Sequence, residues 1–151
     1  MIKLKDLVFR RKRILSEIDN IMEEAYEDVV GEIVNRVYPQ IVKDLGRSRY
    51  VITPKVELHK DIYARLSGIE DMKGEESHAS KAEYDDVENK IFVYYPNMIN
   101  QEDVIRALLH EYTHSLQDQK KRKKHREKGY ENDPYEIAAK KAEWGWEKYK
   151  E

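Results

Sequence analysis

The chain predicts an α+β domain, and three observations carry that expectation. Apolar residues keep helical spacing over the first 45 positions, short alternating stretches lie between 51 and 95, and two later segments open on polar helix-starting residues. A length of 151 residues suits one domain, large enough to bury a core without disulfides. The surface is strongly charged yet balanced, at a net charge of -2, so bulk basicity does not point to nucleic acid. Cysteine is absent, which removes disulfides, thiolate metal sites and thiol nucleophiles. No apolar run is long enough for a signal peptide or a membrane span, which predicts a cytoplasmic protein.

In the 1–45 segment, Leu4, Leu7, Val8, Ile14, Leu15, Ile18, Ile21, Met22, Ala25, Val29, Ile33, Val34, Val37, Ile41 and Val42 form the stripe. It predicts one long helix or two, with Gly31 and Pro39 as bends. The 51–95 region reads as a small sheet. Val51 to Leu58 is a strand whose Pro54 favours an edge or an irregular start, and 60–66 is ambiguous. Ser67 to Ser80, rich in Gly, Glu, Ser and Lys, predicts a loop or hairpin excursion with His78 exposed. Lys81 to Asp86 and Lys90 to Tyr95 predict two strands joined near Val87-Glu88-Asn89, with Ile91, Val93 and Tyr95 alternating against Phe92 and Tyr94.

A helix is expected over 100–126, with Asn100 as its N-cap and acidic residues at 102 and 103. The basic cluster Lys120 to Arg126 reads as its solvated end, in preference to a contact for phosphate or acidic partners. Gly129 stops the helix, and Asp133-Pro134 starts another over 133–150.

The chemistry lies in His110-Glu111-Tyr112-Thr113-His114. Residues four apart return to the same helical face, so both imidazoles can meet one metal ion with Glu111 beside them. Shuffling this composition would produce the five letters in roughly 2% of sequences, so context must decide. Val104, Ile105, Leu108, Leu109, Tyr112 and Leu116 supply it, as an amphipathic stripe beside the metal face. Two imidazoles need a third protein ligand, and an open fourth position would leave room for a water whose proton Glu111 can accept.

The third ligand must come from another segment. A metzincin pattern would need glycine at Gln117 and histidine at Lys120, so that arrangement is excluded. His125 lies too far along the expected helix to curl back. Glu136, in the first turn of the helix after Asp133, is the better placed candidate. Its competing role is structural, because Asp133-x-x-Glu136 also fits a capping box.

His110-Glu-x-x-His114 followed by Asn132-Asp-Pro-Tyr-Glu136-Ile-Ala-Ala resembles the gluzincin zinc peptidases, and in size the minimal members called minigluzincins. The resemblance covers roughly Glu83 to the C-terminus. It implies a zinc-dependent endopeptidase with His110, His114 and Glu136 as Zn2+ ligands and Glu111 as general base and acid. It also implies that the 1–45 segment is a backing helix and that Lys90 to Tyr95 forms the upper rim of the cleft, pairing with extended substrate. Thermolysin-like members carry an aspartate four residues after the ligand glutamate, where this chain has Lys140. Glu143, seven residues after Glu136, is the candidate replacement supporting a ligand histidine, and a solvated salt-bridging role is its alternative. Tyr130 and Tyr135 are the candidate stabilisers of an anionic transition state.

The expected function is zinc-dependent hydrolysis of peptide bonds in a peptide or unstructured protein, with a latent form of the isolated chain left open. The alternative is a non-catalytic protein-binding or regulatory module in which the metal is structural. Neither nucleic acid nor membrane is an expected partner.

Overall fold

The computed structural model describes residues 4–60, 80–127, 129 and 133–151, with side chains from residue 23 onward. Within them the fold is α+β, four α-helices with a three-stranded mixed sheet. No helix among the described residues is long and apolar enough to cross a membrane. The excursion containing His78 lies outside the described residues, as does Tyr130.

Helix α1 spans Leu4–Leu45 as one element of 42 residues, unbroken at Gly31 and Pro39. Pro39 withholds the N–H that would bond the Asn35 carbonyl, yet packing holds the helix together around it. Val34, Val37, Tyr38 and Ile41 are all buried in the main core on either side of the proline. Gly46 then ends the helix at φ 81°, its N–H bonded to the Val42 carbonyl, the left-handed conformation that glycine adopts without a Cβ penalty.

Strand β1 (Lys55–His59) begins immediately after Pro54 and takes an edge of the sheet, as the proline requires. Strand β2 (Ala82–Asp85) turns through Asp86–Asn89 into β3 (Lys90–Tyr94). The Asp85 carboxylate accepts the N–H groups of Val87 and Glu88, and Asn89 takes a positive φ of 54° to close the turn. The order is β1-β3-β2, with β1 parallel and β2 antiparallel to β3. This corrects one expectation. The strand Lys90 to Tyr95 cannot be the rim that pairs with substrate, because β3 is bonded on both sides; the edge next to the following helix is β2. The misassignment has a physical source: β3 is the more apolar strand, with Ile91, Phe92, Val93 and Tyr94 all buried, and such strands go to the centre.

The expected single helix over 100–126 is two helices. Helix α2 spans Gln101–Ser115 and α3 spans Gln119–Arg126. Asn100 caps α2 by accepting the Asp103 N–H, and Asp103 returns a bond from the Ile99 N–H. At the break, Asp118 caps α3 by accepting from Lys120 and Lys121, while Gln119 Nε2 donates to the His114 carbonyl. Local side-chain bonds replace the helical ladder there, so the basic run belongs to its own short helix. Helix α4 covers Pro134–Ala142 behind its cap Asp133, and a 3-10 segment, Glu143–Tyr149, completes the region expected as one helix over 133–150.

The core lies between α1, the sheet and α2. Val104, Ile105, Leu108, Leu109 and Tyr112 are almost wholly buried against Val30, Val34, Val37 and Ile41 and against Ile91 and Val93. Burying each large aliphatic side chain stabilises the fold by roughly 1.5–3 kcal/mol. Tyr38 and Tyr112 meet edge to face at 5.7 Å and donate to the Pro54 and Gly46 carbonyls. The apolar face of α2 is thereby fixed in rotation, which decides where its other face points.

Candidate metal centre

That other face carries His110, Glu111 and His114. Helix α4 brings Glu136 to them, with Oε1 at 3.0 Å from His110 Nε2 and Oε2 at 3.1 Å from His114 Nε2. The two Nε2 atoms are 3.2 Å apart. Donors held about 2.1 Å from a small tetrahedral cation are spaced by roughly 3.3 Å, so the three residues fit such an ion. His110, His114 and Glu136 form the group that could hold a metal.

The two roles available to Glu136 separate in space. The cap of α4 is made by the Asp133 side chain, which accepts the Tyr135 N–H at 2.9 Å. The Glu136 carboxylate faces the histidines.

The outer nitrogens of both rings are held as well. His110 Nδ1 lies 2.9 Å from Glu143 Oε2, and His114 Nδ1 lies 2.8 Å from Gln117 Oε1. Gln117 Nε2 donates to the Tyr135 carbonyl at 2.9 Å, which orients the amide with its oxygen toward His114. With a metal bound, a proton on each Nδ1 would leave each Nε2 lone pair directed at the shared centre, the tautomer a metal ligand needs.

Charge is unevenly distributed over this cluster. Burial alone would lower His110, but the carboxylates of Glu136, Glu111 and Glu143 outweigh it and raise the imidazole to about 9. Burial lowers His114. Hydrogen bonds from both rings hold Glu136 well below the usual carboxylate range. Glu111 behaves oppositely, since burial pushes its carboxyl up to about 7 against the opposing influence of His110, Arg122 and the Tyr84 N–H that bonds to it. A carboxyl near neutrality beside a metal-binding group is suited to moving protons.

No protein-family model matches the chain, and no curated protein or solved structure matches it.

His110, Glu111, His114 and Glu136 line an open cleft of about 580 Å³, walled by β2 and its turn and by Arg122 and Arg126 of α3. A second hollow of about 310 Å³ shares Ala82 and His110 with it and continues past Glu143 toward Arg106. The Tyr84 N–H is bonded to Glu111 and the Ala82 carbonyl to Ser80 Oγ, so the backbone groups of β2 at these positions face away from β3. Tyr135 packs its ring edge to face on His125 at 5.3 Å and is not among the residues lining the cleft. That contact also places His125 on α3, away from the three donors.

Three contributors were not singled out in the sequence. Gln117 had a faint signal, three residues after His114 on the same face. Arg122 was hidden in a run of similar residues, of which it is the buried member, at 8% exposure. The Tyr84 contribution is a backbone group, which carries no side-chain signature.

Proposed function

We propose that the protein is a zinc-dependent endopeptidase. The observation that carries the reading is the placement of the Glu111 carboxyl beside three donors spaced for one ion, all four lining one open cleft. A purely structural site has no need of such a group.

His110, His114 and Glu136 would hold Zn2+, the histidines oriented by Glu143 and Gln117. When bound, zinc supplies a water of lowered pKa and a Lewis acid for a peptide carbonyl. Glu111 accepts the proton of the attacking water and passes it to the departing amine. Extended substrate lies along β2, where the Ala82 N–H and the Tyr84 carbonyl are the outward groups that offer strand pairing, and the two hollows joined at His110 give it a path across the donors.

Glu111→Gln tests the assignment. The variant should keep about one zinc per chain and lose cleavage of an unfolded protein by orders of magnitude relative to zinc-loaded parent. Equal cleavage by the two proteins would remove Glu111 from the mechanism.

A second reading, a binding module with a structural metal, draws on a different feature. An apolar groove of about 350 Å³ lies between α1 and the start of α2, with Tyr26, Val29 and Ile99 exposed along it. It is remote from Glu111 and gives that carboxyl no role. Zinc-loaded parent without turnover on any unfolded protein, at unchanged zinc content, would favour this reading.

A further inference from the structure

The apolar line along α1 changes face part-way along the helix. From Val30 onward the residues that meet the core are Val34, Val37 and Ile41, all buried. Before Val30 the sequence keeps a different line. Leu4, Val8, Arg11, Leu15, Ile18, Met22, Ala25 and Val29 follow one another at alternating steps of four and three, and only Arg11 among them is polar. That is the 3.5-residue period of a helix packed along a second helix, where a single polar seam residue can fix register. The two lines lie about 100° apart around the axis, since Val29 and Val30 are neighbours in the chain. Ala25 is exposed, and Val29 is 56% exposed. The earlier line ends in the apolar groove between α1 and the start of α2, where Tyr26 and Ile99 are exposed as well.

Charge along the same stretch identifies the second helix. Leu4 to Arg13 carries five basic residues and one acidic, whereas Ile14 to Val29 carries six acidic residues and no basic one. Glu23 pairs with Lys60 at 3.2 Å, but Glu24, Glu27 and Asp28 are exposed and have no ion-pair partner among the described residues. A stretch with a basic half and an acidic half is complementary to a copy of itself running in the opposite direction. In that arrangement Leu4 opposes Val29, Val8 opposes Ala25 and Leu15 opposes Ile18, so seam meets seam, and Lys12 flanks Asp19 of the second copy. A parallel copy would set basic against basic and acidic against acidic, which is costly.

We infer that the protein forms a two-fold dimer in which the 4–29 stretches of two α1 helices pack antiparallel, the first turn of each entering the apolar groove of the other. The same patch serves both copies, as a two-fold interface requires. The metal centre takes no part in it.

Sedimentation equilibrium of the full chain at tens of micromolar should give twice the chain mass, and a monomer or a larger assembly overturns the dimer. Lys12→Glu and Asp19→Lys should each raise the dissociation constant by about tenfold or more, and the double variant should return it toward the parental value. Unchanged single variants, or a double variant as weak as the singles, overturn the pairing. Direction is read from labels, because the chain has no cysteine of its own. Spin labels on Ser16→Cys should lie close together in the dimer, whereas labels on Glu27→Cys should be about 30 Å or more apart, the axial distance set by helical rise. Close pairs at both positions would make the helices parallel and overturn the antiparallel register.

Discussion

Along one face of α2, Val104, Ile105, Leu108, Leu109 and Tyr112 are buried against α1 and the sheet, while along the other His110, Glu111 and His114 meet Glu136, Glu143 and Gln117. The apolar face is non-directional: what matters is area removed from water and volume filled, so neighbouring side chains substitute for one another in part. The polar face depends on direction. Each ring there has both nitrogens committed, and removing one partner strands another. Stability should therefore follow the first face and metal affinity the second.

The largest separation of the two is expected from His110→Ala, His114→Ala and Glu136→Gln. Each should lower zinc affinity by orders of magnitude, because two ligands do not replace a three-residue cage. In Glu136→Gln the metal-free fold should stay close to the metal-free parent in denaturant midpoint, since Asp133 makes the cap. Metal analysis alongside chemical denaturation reads both quantities, and parental zinc affinity in any of the three would detach that residue from the site.

Leu108→Ala probes the opposite face and should reverse the pattern. Loss of this fully buried side chain should cost about 2–5 kcal/mol of stability. Zinc stoichiometry in the fraction that remains folded should stay at one. A stability change under 1 kcal/mol would mean that the core closes over the gap more easily than its packing implies.

Glu143→Gln sharpens the comparison within the polar face. The amide can still accept from His110 Nδ1 but lacks the charge that raises the ring, so zinc affinity should fall by about 10–100-fold rather than vanish. Zinc titration with a competing chelator resolves a change of that size, and no change would make Glu143 a solvated residue that happens to lie close.

The smallest effect concerns neither face. Tyr149 donates to Asp44 Oδ2 at 2.8 Å, and burial followed by the Asp44 charge pushes the phenol up to about 12. A raised phenol favours the neutral form in the folded state, so its contribution is complete below pH 10 and is lost as pH rises from 10 through 12. Asp44 is lowered by hydrogen bonds from Lys148 and then Tyr149, so its contribution is present at neutrality and is lost as pH falls through the acid range. Tyr149→Phe should flatten both limbs of the stability profile and shift the denaturant midpoint less than Leu108→Ala. Unchanged limbs would show that the contact does not persist in solution.

What could be read from the sequence follows the same division. The stripes of α1 and α2, the caps Asn100 and Asp133 and the alternation of Ile91 and Val93 are local periodic signals, and the structure contains those elements. The three donors were legible because helical spacing fixes two of them and Pro134 starts the helix that brings the third. Strand order was not legible, since the alternation of β3 does not say which neighbour covers its hydrogen-bonding edges. The break between α2 and α3 was missed because Gln117, Asp118 and Gln119 fit a helix by charge and propensity, while their bonding to His114, Lys120 and Lys121 depends on three-dimensional placement.

Gln117 sits at that break with its two amide ends serving different helices: the oxygen holds His114 on α2, and the nitrogen holds the backbone of Tyr135 at the start of α4. A glutamate of the same shape would keep the first bond and lose the second, because a carboxylate has no hydrogen to give. Hydrolytic ageing of this one amide would therefore leave the ring tautomer in place while removing one of the bonds between Glu136's helix and the segment that carries the histidines, the contacts of Glu136 itself remaining.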